Sequence, residues 1–301
     1  VHSEYFSLLR FHFLHKIGHV FDFLIKLHTA ERLAQSDVVI RAGAVKKPVI
    51  IGIFLCARVF KIGTANVGKD GIRILASHID SPRLDIKQNP LYEDSSMAFL
   101  KTHYYGGIKK YQWTAIPLAL HGTVALKNGK TVDIAIGEGE NDPVFYVNDL
   151  LPHLSRDQYS KNLSQAIDGE TLNVLVGGLP FKDDDVKDAI KLTVLKHLHD
   201  DFGMCESDFL SAELCAVPAF NARDIGFDRA LIGAYGHDDR VCSYPALTAL
   251  LNEKDDEHTV LVVLADKEEI GSEGNTGMQC KVYEDIIDLI AASQNQPSDR
   301  K

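Results

Sequence analysis

Runs of apolar residues alternate with polar turns along this chain, and one run is followed directly by acidic side chains. Residues 260–265 are all apolar, which predicts a buried strand. The run stops at Asp266, and Glu268 and Glu269 follow, before a loop rich in glycine and small polar residues. Because open α/β sheets bind ligands at the carboxyl ends of their strands, the two glutamates are a candidate site. A solvated turn after a core strand is the alternative.

A second apolar run, residues 72–80, also ends in polar side chains. It contains His78 and Asp80, and Ser81-Pro82 ends the predicted strand. A metal-binding histidine usually needs an acceptor on its other ring nitrogen, and an aspartate two residues later is able to supply it. A capped turn is the alternative interpretation.

A third group of candidate side chains precedes a predicted helix over residues 241–251. Asp238 and Asp239 stand immediately before it. An aspartate in this position is most often an N-cap. The alternative is that Asp238 bridges two metal ions, while Asp239 shapes the turn or receives a charged group.

Ordinary connections would bring these three groups of side chains to the same edge of a parallel sheet. Histidine, aspartate and glutamate are ligands that zinc and similar divalent cations accept. One carboxylate shared between two such ligand sets is the arrangement of a two-metal hydrolase. The order His-x-Asp, Asp, Glu-Glu is therefore far more specific than any one of its parts.

Between the second and third groups the pattern changes to short alternating runs. Residues 98–136 and 172–180 have the pattern of β-strands, and Asn128-Gly129 between two such runs predicts a hairpin. A charged helix is predicted from residue 181 to about 202, with an acidic cluster suited to its N-terminus. A further strand is predicted over residues 209–218.

The segments before and after this β-rich region have the patterns of helices and of a buried strand. Helices are predicted over residues 5–28 and 283–292, and a single buried strand over residues 48–61. We therefore predict a discontinuous α/β domain with a mostly β insert: residues 1–85 and 228–301 for the former, and 86–227 for the latter.

Composition and charge narrow the class of protein. The chain has 301 residues, 45% of them hydrophobic, which is typical of a soluble globular protein with one large or two smaller domains. Its net charge of -10 argues against nucleic acid or an anionic membrane as a partner. The five cysteines have no CxxC spacing, and no signal-peptide or membrane-span pattern is visible, so a cytoplasmic location is expected.

Four segments, ASHIDSPRLD, THYYGGIKKYQW, GHDDRVCSYPAL and DKEEIGSEGNTGMQ, resemble the M18 family of zinc aminopeptidases in its bacterial branch. The resemblance is close over residues 72–284 and weak before about residue 60. It implies an α/β fold in which a mixed, largely parallel sheet is sandwiched by helices, as in the zinc-peptidase and phosphorylase-like folds. It also implies that the insert is a dimerisation domain, and that dimers assemble into a homo-oligomer, a dodecamer in family members.

The resemblance also implies roles for individual residues. His78 resembles a ligand of one zinc, with Asp80 holding its imidazole. Asp238 resembles the bridging carboxylate, joined to the next residue by a cis peptide bond. Glu268 resembles the general base that deprotonates the bridging water, and Glu269 a ligand of the second zinc.

A substrate-binding residue is implied in the insert. His153, in DLLPHLSRDQ, falls near the family position that reaches a neighbouring subunit's active site. A second histidine or a shifted alignment is the alternative. The implied reaction is metal-assisted hydrolysis of the N-terminal residue of a peptide, with two Zn²⁺ ions in each active site and Co²⁺ or Mn²⁺ as alternatives.

The sequence departs from the family pattern in one respect. The pattern needs two more ligands, an Asp well after the Glu-Glu pair and a His near the C-terminus, and this sequence ends at Lys301. We therefore expect the chain alone to bind at most one metal ion well and to have little activity. A non-catalytic assembly subunit and a dinuclear metal deacylase stay open as alternatives, as does the preferred N-terminal residue of the substrate.

Overall fold

The computed structural model describes residues 49–53, 56–182, 186–254, 257–274 and 276–294. The helix predicted over residues 5–28 and the tail after residue 294 lie outside this description. The chain divides into two compact units. The first unit contains the described residues up to Ser81 and from Gly236 onward, and the second unit runs from Pro82 to Tyr235. That the second unit is a dimerisation domain stays a prediction.

The regular elements of the described residues are strands, α-helices and short 3-10 turns. The strands are β1 Val49–Ile53, β2 Cys56–Lys61, β3 Arg73–His78, β4 Arg83–Asp94, β5 Met97–Tyr105, β6 Leu118–Ala125, β7 Thr131–Ile136, β8 Tyr146–Val147, β9 Val174–Gly177, β10 Ala212–Pro218, β11 Arg223–Ile225, β12 Leu231–Gly233 and β13 Val260–Ala265. The α-helices are α1 Val67–Asp70, α2 Arg156–Tyr159, α3 Leu163–Ala166, α4 Ala189–Phe202, α5 His237–Asn252 and α6 Val282–Ser293. The 3-10 turns are Lys110–Trp113, Gly169–Thr171, Glu206–Ser211 and Glu268–Ile270.

The first unit contains a four-stranded sheet in the order β1-β2-β13-β3. β13 pairs in parallel with β3 and antiparallel with β2. The mixed α/β fold is confirmed, although only one of the three pairings in the described sheet is parallel. The single strand predicted over residues 48–61 is wrong, because β1 and β2 form an antiparallel pair with Gly52 opposite Ala57. Two positions separate these strands, and so short a connection permits only antiparallel pairing.

Helices cover both faces of this sheet. All six residues of β13 are buried, and successive side chains point to opposite faces. Leu261 and Val263 pack with Ile290 of α6 in one cluster. Val262 packs with Leu250 of α5 in another cluster, so β13 is the centre of a sheet sandwiched by helices, as predicted.

The second unit is built on a seven-stranded sheet in the order β7-β6-β10-β4-β5-β9-β8. Every pairing within it is antiparallel. The hairpin predicted at Asn128-Gly129 is confirmed, since it joins β6 to β7 and Gly129 has a φ of 80°. Leu84, Leu118 and Leu172 are fully buried in its core. The mostly β character predicted for this region is therefore confirmed.

Two predicted boundaries in the second unit are wrong. The helix predicted from residue 181 begins at Ala189, where the Glu93 side chain accepts hydrogen bonds from the N–H groups of Ile190 and Lys191 at 2.9 and 3.0 Å. An acidic side chain from β4, distant in sequence, therefore lies at this helix N-terminus. The strand predicted from residue 209 begins at Ala212, because residues 206–211 form a 3-10 turn.

None of the helices in the described ranges combines the length and the apolar composition that a membrane-spanning segment needs.

Candidate active site

Two strand ends that carry the predicted site residues meet in the first unit. In the parallel register of β3 and β13, His78 lies opposite Ala265. The Ile79 N–H donates to the Ala265 carbonyl oxygen at 2.9 Å and extends the pairing by one residue. The loop that follows β13 therefore starts beside His78, which brings the Glu268–Ile270 turn to the same sheet edge.

The imidazole of His78 is largely buried and has acceptors on both ring nitrogens. Nδ1 lies 3.1 Å from the carbonyl oxygen of Asp80 and 3.4 Å from its Oδ1. Nε2 lies 3.0 Å from Oδ1 of Asp238 and 3.8 Å from Oε2 of Glu268. An Nδ1 that donates to Asp80 leaves Nε2 as the nitrogen for a cation, because this second contact sets the tautomer.

The Asp80 carboxylate has a further contact that its spacing from His78 did not predict. It is buried, and it accepts hydrogen bonds from two consecutive backbone N–H groups. Oδ1 lies 3.3 Å from the Glu268 nitrogen, and Oδ2 lies 3.2 Å from the Glu269 nitrogen. Asp80 therefore connects the end of β3 to the turn that carries both glutamates.

Asp238 lies at the start of α5, in backbone that is not yet helical. Its φ and ψ are -82° and 114°, and the peptide bond to Asp239 is cis, as expected. The Asp238 side chain is 87% exposed and forms a hydrogen bond to His78. The N-cap position is taken by Gly236, without a side-chain capping bond. Asp238 is thus directed to the candidate site and not used as the N-cap of the helix.

Several side chains around His78 were not predicted from the sequence. The Ser243 hydroxyl donates to the His78 carbonyl oxygen at 2.9 Å, and Ser77 Oγ lies 2.9 Å from Ser243 Oγ. The Ser81 hydroxyl donates to the Asp238 carbonyl oxygen at 3.2 Å. The only signal for them was their position, since each lies within five residues of a predicted site residue. These contacts hold β3 against the start of α5.

The carboxylates perturb each other and the imidazole. Burial by itself lowers the pKa of His78, but the hydrogen bonds to Asp238 and Asp80 and the negative charge of Glu268 raise it above the ordinary value. Burial raises the pKa of Glu269, the charges of Asp80, Glu268 and Asp238 raise it further, and His78 opposes them. A crowded set of carboxylates around one imidazole is an environment that a bound cation relieves.

These donors fit a zinc ion in kind, because imidazole nitrogen and carboxylate oxygen are its usual ligands besides thiolate. Within the described ranges, however, no group of three or more His, Cys, Asp or Glu side chains is arranged to hold a metal ion. His78 and Asp238 are instead in direct hydrogen-bond contact. The metal site therefore stays a prediction, as do the roles of His78, Asp238 and Glu269 as its ligands.

His153, the residue predicted to bind substrate, belongs to the second unit. It is exposed, in the segment between β8 and α2. Leu150, Leu151 and Leu154 around it are each more than half exposed. Its role stays a prediction.

Comparison with known families and sequences gives consistent matches. Residues 55–301 match the family described as aminopeptidase I zinc metalloprotease (M18). A probable M18 family aminopeptidase 1 from Clostridium acetobutylicum is 51% identical over 225 residues, which are 73% of this chain and 48% of the relative. A relative of the same description from Thermotoga maritima is 49% identical over 215 residues, 71% of this chain and 47% of the relative. The chain spans about half the length of the curated relatives it matches.

Solved structures give the same picture. A crystal structure of an M18 family aminopeptidase from Thermotoga maritima superimposes with a TM-score of 0.76 at 44% identity, covering 80% of this chain and 52% of that one. Yeast aminopeptidase 1 superimposes with a TM-score of 0.65 at 18% identity, covering 84% of this chain and 59% of that one. The second likeness concerns the fold alone.

Proposed function

Because this chain belongs to the M18 family of zinc metalloproteases, we propose that it is a metal-dependent aminopeptidase that hydrolyses the N-terminal residue of peptides. The observation that carries the proposal is the meeting of three side chains at the end of two parallel strands. Asp238 Oδ1 and Glu268 Oε2 lie 3.0 and 3.8 Å from His78 Nε2. All three residues lie within the range that matches the family.

The residues that would hold zinc are His78, Asp238 and Glu269, with Asp238 shared if two ions bind; Co²⁺ or Mn²⁺ are alternatives to zinc. When bound, zinc supplies polarisation of the scissile carbonyl and a lower pKa for the attacking water. The Asp80 carbonyl oxygen accepts from His78 Nδ1 and so fixes the tautomer of His78. The two carboxylate oxygens of Asp80 hold the backbone of the glutamate turn.

Glu268 is the proposed general base. Its side chain is 56% exposed, so it is accessible to a substrate and to water. In this role it takes a proton from the attacking water and passes it to the leaving amine. A neighbouring carboxylate would accept the substrate's free α-amino group, which restricts cleavage to the first residue.

We also propose that the chain forms a homo-oligomer through the second unit, in which His153 reaches the active site of a neighbouring copy. The exposed leucines around His153 support this, because contiguous exposed apolar side chains mark interaction surfaces. A related fold, 18% identical with a TM-score of 0.60, has been solved as a yeast dodecamer. Light scattering on the purified protein gives the mass, and a monomer at micromolar concentration would contradict this part of the proposal.

Hydrolysis of aminoacyl-nitroanilides tests the activity. A panel of Asp, Glu, Leu and Lys substrates is assayed with zinc, cobalt or manganese, and then with a chelator. We expect the turnover to be low, as the sequence predicts, to be abolished by the chelator, and to be removed by Glu268→Gln without lowering the thermal midpoint. An absolute need for a free α-amino group separates a peptidase from a deacylase.

One observation favours a second candidate, a non-catalytic assembly subunit. In the part of the chain that the structure describes, no three potential ligands are grouped to hold a metal ion. Absence of turnover with every metal, together with an unchanged oligomer mass in the Glu268→Gln variant, would favour this candidate over the peptidase.

A further inference from the structure

A buried carboxylate lies beside the candidate site and takes no part in the proposed chemistry. Asp266 follows β13 directly and is 2% exposed. Its Oδ2 accepts a hydrogen bond from the Thr276 hydroxyl at 2.9 Å, and the Lys267 ammonium lies 3.5 Å from the same oxygen. Among the described residues, no donor bonds to its other oxygen, Oδ1, which is also buried.

The burial of the Asp266 carboxylate is not explained by hydrophobic packing. A buried carboxylate that keeps only part of its hydrogen bonds is destabilising compared with an apolar side chain of similar size. Thr276, its partner, is itself buried, so the bond between them is shielded from water. Side-chain packing therefore does not explain why an aspartate is buried at position 266. A role in fixing one particular backbone conformation does explain it.

The backbone that Asp266 and Thr276 enclose is strained. Lys267 and Ser272 have φ angles of 69° and 61°, although neither is glycine, and Gly271 and Gly274 also have positive φ. Left-handed backbone at non-glycine residues costs free energy and persists only where surrounding contacts enforce it. The Asp266–Thr276 bond is such a contact, because it ties together two residues ten positions apart, on either side of the strained segment.

The enclosed segment carries both glutamates of the proposed site. They form the Glu268–Ile270 turn, in which the Gly271 N–H donates to the Glu268 carbonyl oxygen at 3.0 Å. Asp80 holds this turn through the N–H groups of Glu268 and Glu269. The buried carboxylate of Asp80, which follows β3, therefore holds the turn. The buried carboxylate of Asp266 closes the loop that continues the turn.

We propose that Asp266 is a positioning residue, which fixes the Glu268–Glu269 turn through its hydrogen bond to Thr276. The inference rests on the proposed function, since orientation of the turn matters for activity only if the glutamates act there. It extends that function by assigning to Asp266 and Thr276 a part in setting the geometry of the base and of one metal ligand.

The test uses two pairs of variants of the purified protein. Thr276→Val removes the hydroxyl and keeps the size, while Thr276→Ser keeps the hydroxyl. Asp266→Ala removes the carboxylate, while Asp266→Asn keeps one acceptor for Thr276. Asp208→Ala is the matched control, because Asp208 is 3% exposed, also accepts hydrogen bonds, and lies in the second unit.

Three quantities are measured for each variant: hydrogen exchange of the peptide covering residues 266–274, zinc affinity by competition with a chromophoric chelator, and kcat and KM. We expect Thr276→Val and Asp266→Ala to speed exchange in this peptide. We expect them to weaken zinc binding or kcat by about 10- to 100-fold, the usual effect of losing a residue that orients a metal ligand. KM should change little, Thr276→Ser and Asp266→Asn should stay near wild type, and Asp208→Ala should lower only the thermal midpoint.

The outcomes separate this inference from the proposed function. If wild type hydrolyses no substrate, the proposed function fails, and hydrogen exchange still decides whether Asp266 fixes the turn. If wild type is active and Thr276→Val and Asp266→Ala match it in kcat, zinc affinity and exchange, the inference is overturned and the function stands. Loss of thermal stability alone, as in Asp208→Ala, also overturns it.

Discussion

Replacing Asp80 with asparagine tests whether this residue holds the glutamate turn or only orients His78. The carboxylate accepts one N–H on each oxygen, from Glu268 at 3.3 Å and from Glu269 at 3.2 Å. Asparagine keeps one acceptor and turns an NH₂ group toward the other N–H, so one of the two bonds is lost. A hydrogen bond to a charged group contributes about 1.5–3 kcal/mol, and these two are long, so we expect the lower end of that range.

The measurement is urea-induced unfolding of wild type, Asp80→Asn, His78→Gln and the double variant. We expect Asp80→Asn to lower the free energy of unfolding by about 1.5–2 kcal/mol. If Asp80 holds the turn directly, at least half of this loss should remain when His78 is already glutamine. The double-mutant cycle isolates the part that depends on His78.

Asp142→Asn is the control for loss of a carboxylate. Its Oδ2 accepts from the N–H groups of Gly137 and Gly139, at 3.1 and 2.9 Å. Asparagine retains one oxygen and with it both bonds, so we expect a loss below about 1 kcal/mol. A cost of Asp80→Asn that disappears in the His78→Gln background would refute the proposed contact between Asp80 and the turn.

Three further predictions concern the second unit. Glu93→Ala removes the acceptor at the N-terminus of α4 and should lower the free energy of unfolding by about 1–2 kcal/mol in urea titrations, whereas an unchanged midpoint would contradict the assigned cap. Burial raises the pKa of the Cys215 thiol to about 11, while Cys205 is exposed. At pH 8 iodoacetamide should therefore modify Cys205 well before Cys215, as peptide mass spectrometry would show, and equal rates would contradict the raised pKa of Cys215. Gly122→Ala would place a Cβ 1.9 Å from the Glu213 carbonyl oxygen at a φ of 143°, so a loss of at least about 2 kcal/mol is expected, and a variant with wild-type stability would refute the close approach of β6 and β10.

Elements with a strong local signal were predictable from the sequence. Six consecutive apolar residues gave β13, and Asn128-Gly129 gave the β6–β7 hairpin. These signals are local, because side-chain burial has a fixed period in a strand and a tight turn needs particular backbone angles. The start of α4 was missed for the opposite reason, since Glu93, which bonds its first N–H groups, is 97 residues away in sequence from Ile190.

The same distinction applies to the candidate site. The order His-x-Asp, Asp, Glu-Glu identified His78, Asp238 and Glu268 as side chains that belong together, and in the structure Asp238 Oδ1 and Glu268 Oε2 lie 3.0 and 3.8 Å from His78 Nε2. Their roles as metal ligands and base stay predictions. The sequence predicts that polar residues following different strands lie together, because parallel strands present their carboxyl ends at one edge of the sheet.

By itself the sequence determined which polar side chains follow the apolar runs and are therefore candidates for the chemistry. Only the tertiary structure decided how they are held: Asp80 accepts from the backbone of the glutamate turn, Ser243 from α5 holds His78, and Asp266 bonds to Thr276. The physical reason is that most of these bonds involve backbone N–H and carbonyl groups, which every residue has and no sequence pattern distinguishes. Which groups form these bonds depends on contacts between segments that are distant in sequence, and no short stretch of the sequence specifies those contacts.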